Sequence, residues 1–181
     1  MPETFPISDQ EIEALATNAV GSVFGTMLDA KILLKGQKAI APETREVCVS
    51  LPGEESGAMI TGTVGFIGSM TGIIYIYMGM PLAMKATSRL LGLDAEDIES
   101  EGHETVNDAV GELTNMIVGA FKNDLSEKGY ECRMTIPSIL RGSNYSIEPA
   151  EVAMRRIYHY DCEGSPFVID ILMKEEASPE V

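Results

Sequence analysis

From Ser56 to Met84 the chain carries no charged residue, and an uncharged stretch of that length must either cross a membrane or be buried in a core. Its glycines decide between the two. Gly57, Gly62, Gly65, Gly68, Gly72 and Gly79, interleaved with Thr61, Thr63 and Thr71 and followed by Pro81, make a poor continuous helix, because each interior glycine costs roughly 1 kcal/mol relative to alanine. The same spacing suits two strands, Met59 to Ile67 and Met70 to Met78, turning at Gly68-Ser69. The second arm is rich in Ile and Tyr, so the expectation is a buried hairpin with no membrane insertion.

Around this hairpin the pattern is helical, then extended. Glu11 to Asp29 reads as a helix with Ser8 as N-cap, Glu11 as its capping-box partner, and Ile12, Leu15, Ala19, Val23 and Met27 at helical spacing. Val47 to Leu51 reads as a short strand before the Pro52-Gly53 turn. Pro81 opens a helix that runs from Leu82 to Leu91 and stops at Gly92, and Asp94 to Glu101 reads as an acidic link. Glu104 to Lys128 is a long helix ended by Gly129. Glu131 to Ile136, Val152 to Tyr160 and Phe167 to Met173 read as strands, the last two joined at Glu163-Gly164-Ser165. This order predicts an α+β fold, a mostly antiparallel sheet packed against helices. Residues 1–181 are read as a single domain, ordered from about 10 to 175, with an acidic C-terminal tail.

Charge narrows the partners. With 28 acidic against 13 basic residues, the net charge is −15, which repels nucleic acid and anionic membrane surfaces. Three cysteines, Cys48, Cys132 and Cys162, form no CxxC pair, and His103 and His159 stand apart from other ligand types, so no metal site is expected. No glycine-rich phosphate loop of the GxxxxGK[ST] or GxGxxG kind appears, which argues against a nucleotide-driven enzyme. The first residues lack the basic and apolar regions of a secretory leader, and the expected location is the cytoplasm.

The chemistry lies on the long helix. At 3.6 residues per turn, Val106, Ala109, Leu113, Ile117, Ala120 and Phe121 share one arc, which faces the core. The opposite arc gathers Asp108, Glu112, Asn115, Gly119 and Lys122, so a carboxylate and a carboxamide one turn apart project together. A Glu-x-x-Asn pair arises easily by chance, and Glu104 with Asn107 matches it too. Gly119 adds context: an interior glycine one turn beyond Asn115 weakens the helix but leaves space for another backbone to approach.

The stretch Asp108-Ala-Val-Gly-Glu112-Leu-Thr-Asn115-Met-Ile-Val-Gly119-Ala-Phe-Lys122 resembles the helix of the CheX branch of the CheC-type phosphatases, with its acidic-x3-Glu-x2-Asn pattern followed by small residues. Pro137 falls where that family has its proline. Val23-Phe-Gly-Thr-Met-Leu28, the glycine-spaced hairpin leading into Pro81-Leu82-Ala83, and Ile136-Pro137 with Gly142-Ser-Asn-Tyr145 are similar to further family segments, in family order. The resemblance implies a CheC/CheX-like fold and hydrolysis of the aspartyl-phosphate on a CheY-like response-regulator receiver. It implies Asn115 as the residue that orients the attacking water and Glu112 as the partner of the receiver's lysine. Asp108, Gly119, Lys122 and Pro137 would form the receiver contact. Mg2+ would sit on the receiver, this chain holding no cofactor, and the chain would pair as a homodimer. CheC-type relatives carry a second such site, but Leu15 stands three residues before Asn18 where a Glu would be needed, so one site per chain is expected. The rival reading is a non-catalytic receiver-binding or flagellar-switch-like interaction module that uses the same helix face.

Overall fold

The computed structural model describes residues 5–41, 57–143, 145–148 and 154–175. Helix α1 (Asp9–Leu28) starts on the expected capping box: the Glu11 backbone N–H donates to Ser8 Oγ at 3.3 Å, and the Ser8 N–H donates to Glu11 Oε2 at 3.1 Å. These bonds satisfy helix-start donors that would otherwise be orphaned. The Ser8 hydroxyl, donating to Glu11 Oε2 at 2.8 Å, and then the Ser8 N–H hold the Glu11 carboxyl at about 2, helped by Lys128 Nζ at 3.0 Å from Oε1. Ile12, Leu15, Ala19 and Val23 are buried as their spacing requires, whereas Met27 is exposed.

Strand β1 (Ile32–Ile40) follows, where the sequence had suggested no element. The Val47 to Leu51 strand expectation lies outside the described residues. The hairpin forms as expected, with β2 (Met59–Gly68) and β3 (Met70–Gly79) antiparallel in unbroken register from Met59↔Gly79 to Phe66↔Gly72. Helix α2 (Met80–Leu91) carries Pro81 in its first turn and ends at left-handed Gly92. The acidic link is instead a short helix, α3 (Ala95–Glu101), because Asp94 caps it by accepting from the Asp97 N–H at 2.9 Å. Helix α4 (His103–Glu127) is the long one.

The strand expected over Glu131 to Ile136 is shorter, β4 (Cys132–Met134), and after Thr135, Ile136 and Pro137 comes a strand the sequence had not suggested, β5 (Ser138–Gly142). Strands β6 (Met154–Cys162) and β7 (Ser165–Glu175) close the fold through a two-residue turn at Glu163-Gly164. Both turn residues have positive φ, 51° and 88°, the conformation that matches the twist of a tight hairpin and that suits glycine at the second position. Glu163 is also clamped to α2 by Arg89 at 2.9 Å and Lys85 at 2.6 Å, and these bonds, Arg89's first, hold its carboxyl at about 2.

Every strand pairing is antiparallel, in the order β1-β6-β7-β3-β2-β4, with β5 also on β2. The chain therefore repeats itself. A first half of α1, β1, β2, β3 and a second of α4, β4 with β5, β6, β7 exchange their edge strands, β1 onto β6 and β4–β5 onto β2. The α2–α3 segment links them. Asn18 of α1 and Asn115 of α4 fall at matching places in this repeated order.

Helices cover one face of the sheet. Ile60, Val64 and Phe66 of β2, Ile74 and Ile76 of β3, and Phe167, Ile169 and Ile171 of β7 share one core with α1 and α4. The other face carries a smaller cluster of Ile40, Tyr77, Ile157 and Val168. There Arg155 and Asp170 form a buried ion pair at 2.6 Å, and burial, with Asp170 adding to it, raises the Tyr75 and Tyr77 hydroxyl pKa values. Breaking such a pair strands a charge, whereas replacing both members need not. Asp170→Ala should cost about 3–5 kcal/mol in urea unfolding, and Arg155→Met combined with Asp170→Leu should recover most of it. Equal losses in the single and double variants would show that the ion pair itself is the source of stability.

Candidate functional site

Helix α4 is anchored from within. Val106, Ala109, Leu113, Ile117 and Phe121 are buried as expected, joined by Val110, Val118 and Leu125, while Ala120 is only half-buried. Thr114 is fully buried, a polar residue in the middle of the packed arc. Its hydroxyl donates to the Val110 carbonyl at 2.7 Å, which satisfies it without a partner from the sheet. Opposite lies Gly62 of β2, where an added Cβ would sit 3.0 Å from Thr114 Cβ and closer still to its oxygen. Glycine is needed at 62 because the helix touches the strand backbone. Sequence patterning missed this contact; a threonine on the apolar arc was its one visible sign.

The outward arc is only partly open to solvent. Asp108 and Glu112 are exposed, and Asn115, Gly119 and Lys122 are half-buried. Among the described residues, neither the Glu112 nor the Asn115 side chain is engaged in a hydrogen bond or ion pair. Lys122 Nζ donates to Asn123 Oδ1 at 3.1 Å. A Cβ on Gly119 would meet only Met134 Sδ, at an ordinary 3.7 Å, so internal packing does not demand the glycine. The chance match at Glu104 and Asn107 differs in this respect: Asn107 Oδ1 is buried, and its amide is turned inward rather than presented.

In the duplicated half, Glu11, Leu15 and Asn18 stand where Asp108, Glu112 and Asn115 stand in α4. Asn18 is exposed, but Leu15 is 5% exposed and part of the core. Glu11 is held by the capping box and Lys128. The two helices are thus related in topology and different in what they present.

Pro137 is exposed beside α4, between the points where Met134 reaches Gly119 and Ile139 reaches Gly111 at 3.8 Å. Among the described residues, a surface cavity of about 350 Å3 lies near Lys35, His159 and Phe167, and another lies near Thr26, Asp29 and Arg89. Neither is lined by α4. No three His, Cys, Asp or Glu side chains among the described residues converge as metal ligands, and no described helix is long and apolar enough to cross a membrane.

A single antiparallel sheet, helices on one face, and a duplicated arrangement that exports a carboxylate and a carboxamide from one helix define a CheX/CheC-like fold. The family model described as chemotaxis phosphatase CheX matches residues 60–161, and the chain belongs to that family. Among solved structures, it is similar to a chemotaxis protein CheX from Desulfovibrio desulfuricans, with a TM-score of 0.75, 22% identity, and 91% of this chain and 99% of that one covered. It is similar to a CheC-like superfamily protein from Shewanella sp. PV-4, with a TM-score of 0.75, 24% identity, and 93% and 99% covered. It also resembles CheX in the CheX-CheY-BeF3-Mg2+ complex from Borrelia burgdorferi, with a TM-score of 0.64, 26% identity, and 91% and 98% covered. No curated protein sequence matches the chain.

The contact between Gly62 and Thr114 sets how closely α4 lies on the sheet. Gly62→Ala should cost about 1–3 kcal/mol by overpacking, measured by urea unfolding, and Thr114→Ala in the same chain should restore part of the loss. Equal stability of Gly62→Ala and wild type would show that α4 can lift freely.

Proposed function

We propose that this chain is a phosphatase for a phosphorylated CheY-like receiver, and that α4 does the work. The observation that carries the reading is the side-by-side presentation of Glu112 and Asn115, with Gly119 leaving room beyond them, on a helix whose other face is locked into the core. The Borrelia burgdorferi relative was solved bound to CheY with BeF3 and Mg2+, which favours the same class of partner here.

Hydrolysis of an acyl phosphate needs a water in line with the bond that breaks. The water oxygen attacks phosphorus, the bond from phosphorus to the aspartyl oxygen breaks, and the aspartate leaves as a carboxylate. One water proton stays on the phosphate and the other passes to solvent. The Mg2+ belongs to the receiver, where it neutralises phosphoryl charge. Asn115 suits the water: its amide oxygen accepts a hydrogen bond and its NH2 donates, without adding negative charge beside an anionic phosphoryl group. Glu112 suits the receiver's lysine, a charge-assisted pair that fixes orientation. Asp108, Lys122 and Pro137 border this contact. The site works in the cytoplasm and in a chain paired as a homodimer.

The decisive measurement follows decay of a phosphorylated receiver with and without the protein. Wild type should accelerate decay, and Asn115→Ala should lose about a hundredfold in kcat with little change in KM, as expected for lost positioning. Glu112→Ala should raise KM about tenfold, the scale of one charge-assisted hydrogen bond. A wild type that binds the receiver without changing its decay would make the chain a docking module instead. Gly119→Leu is the steric check: it should keep the circular-dichroism melting curve of wild type and lose activity. Full activity in that folded variant would refute the role of the gap.

A further inference from the structure

The receiver-facing surface has an apolar member that is not part of the Glu-x-x-Asn pattern. Ile136 is 85% exposed, against 61% for Ile67, the next of the exposed large hydrophobic residues described. Single exposed hydrophobic residues are ordinary on protein surfaces, so its position has to carry the argument.

That position follows from register. Strand β2 pairs Phe66 with Met134 and Thr63 with Ser138. Between these pairs, β2 spans Val64 and Gly65 while the opposite strand spans Thr135, Ile136 and Pro137. One extra residue must bulge from the edge. Thr135 is pinned, its N–H donating to the Gly65 carbonyl at 2.9 Å and its hydroxyl accepting from the Gly65 N–H at 2.9 Å. Met134 lies on the helix side of the sheet, against Gly119, and Thr135 on the other. With Thr135 opposite Gly65, Ile136 and Pro137 together oppose Val64, a residue of the helix-side core, two residues against one as a bulge requires.

Along α4, the bulge falls between Gly119, beside Met134, and Gly111, beside Ile139. The residue midway between those glycines on the same helix face is Asn115. Ile136 is therefore level with Asn115, across a stretch of helix that has no side chain at 111 or 119. Pro137 has a fixed φ and no N–H to pair, which holds the bulge in place at small entropic cost on binding.

We propose that Ile136 is a specificity-determining docking residue for the receiver, seating in an apolar spot on the receiver surface next to the phosphorylated aspartate. This rests on the phosphatase reading above and adds to it what the polar arc lacks. Asp108, Glu112, Asn115 and Lys122 can orient a partner and speed its approach, but binding energy concentrates at desolvated apolar or aromatic anchors within a polar surround. The occupant is the receiver because the bulge is continuous with the helix face that carries Glu112 and Asn115.

The test compares wild type, Ile136→Ser, Ile136→Leu and Ile67→Ser, the last on the neighbouring strand β2 and on the opposite face. Decay of the phosphorylated receiver is measured across receiver concentrations, and affinity is measured separately on an Asn115→Ala background with and without Ile136→Ser. Ile136→Ser should raise KM and weaken affinity about tenfold or more, as loss of a buried aliphatic contact does, with kcat near wild type. Ile136→Leu should restore affinity and Ile67→Ser should leave it unchanged. Wild-type turnover with affinity independent of Ile136 overturns this inference and leaves the phosphatase reading standing. Affinity that depends on Ile136 without turnover does the reverse. A change in molar mass by light scattering in Ile136→Ser, with receiver affinity intact, assigns the bulge to self-association and also overturns it.

Discussion

The contact on which the site depends is between a helix and a strand backbone, where Thr114 of α4 sits over Gly62 of β2. A side chain at 62 would push the helix away; without one, α4 lies close enough for its apolar arc to merge with Val64 and Phe66 in one core. Interiors pack at crystal-like density and do not deform continuously. The outward arc inherits that rigidity, so Glu112 and Asn115 are held by a helix fixed along its whole inner face rather than by a loop. Second-half segments also meet β2 elsewhere: Gly68 admits the Glu131 carbonyl and Cys132 at distances no Cβ would allow. Glycine spacing in the hairpin is thus a record of what lies against it.

The order of elements repeats between the two halves, but the halves differ in what their helices and edges present. Both halves supply a helix and an edge strand, but α1 turns Leu15 into the core and commits Glu11 to its own capping box. In α4 the matching carboxylates face outward. The edges diverge as well. Strand β1 absorbs its irregularity at Lys35, between Leu34 and Gly36, and continues. The opposite edge breaks into β4 and β5 around Ile136 and Pro137, placing an irregular backbone beside the functional helix and a regular one beside the other.

Elements with local signals were legible in the sequence. The Ser8 and Glu11 capping box, Pro81 and Gly92 around α2, and Gly68-Ser69 in the hairpin each act within a few residues, and each element formed where expected. Strand β1 was not legible, because an edge strand with Lys35 and Lys38 lacks clean alternation and its partner, β6, is remote in sequence. Asp94 looked like part of a charged link because a cap and a solvated acid are the same residue until the next N–H groups are placed. The outward arc of α4 followed directly from helical periodicity. What periodicity could not supply was the neighbouring strand: the bulge around Ile136 and Pro137 is set beside α4 by the register of β2, a long-range property with no local trace.

The cavities also bear on the kind of chemistry involved. An enzyme that acts on a small molecule encloses it, usually in an apolar cleft with a few converging polar groups. Here Glu112 and Asn115 stand on the face of α4 turned away from the core, and the described cavities near Lys35 and near Arg89 are not lined by that helix. Two side chains on one helix face do not exclude water or surround a transition state by themselves. Their electrostatic environment has to come from the surface they enter, which is where the metal, the lysine and the phosphoryl group of a receiver would be. Glu112 and Asn115, which make no side-chain hydrogen bond or ion pair among the described residues, fit such a proposed division of labour: groups held in position by their own fold for another protein to engage.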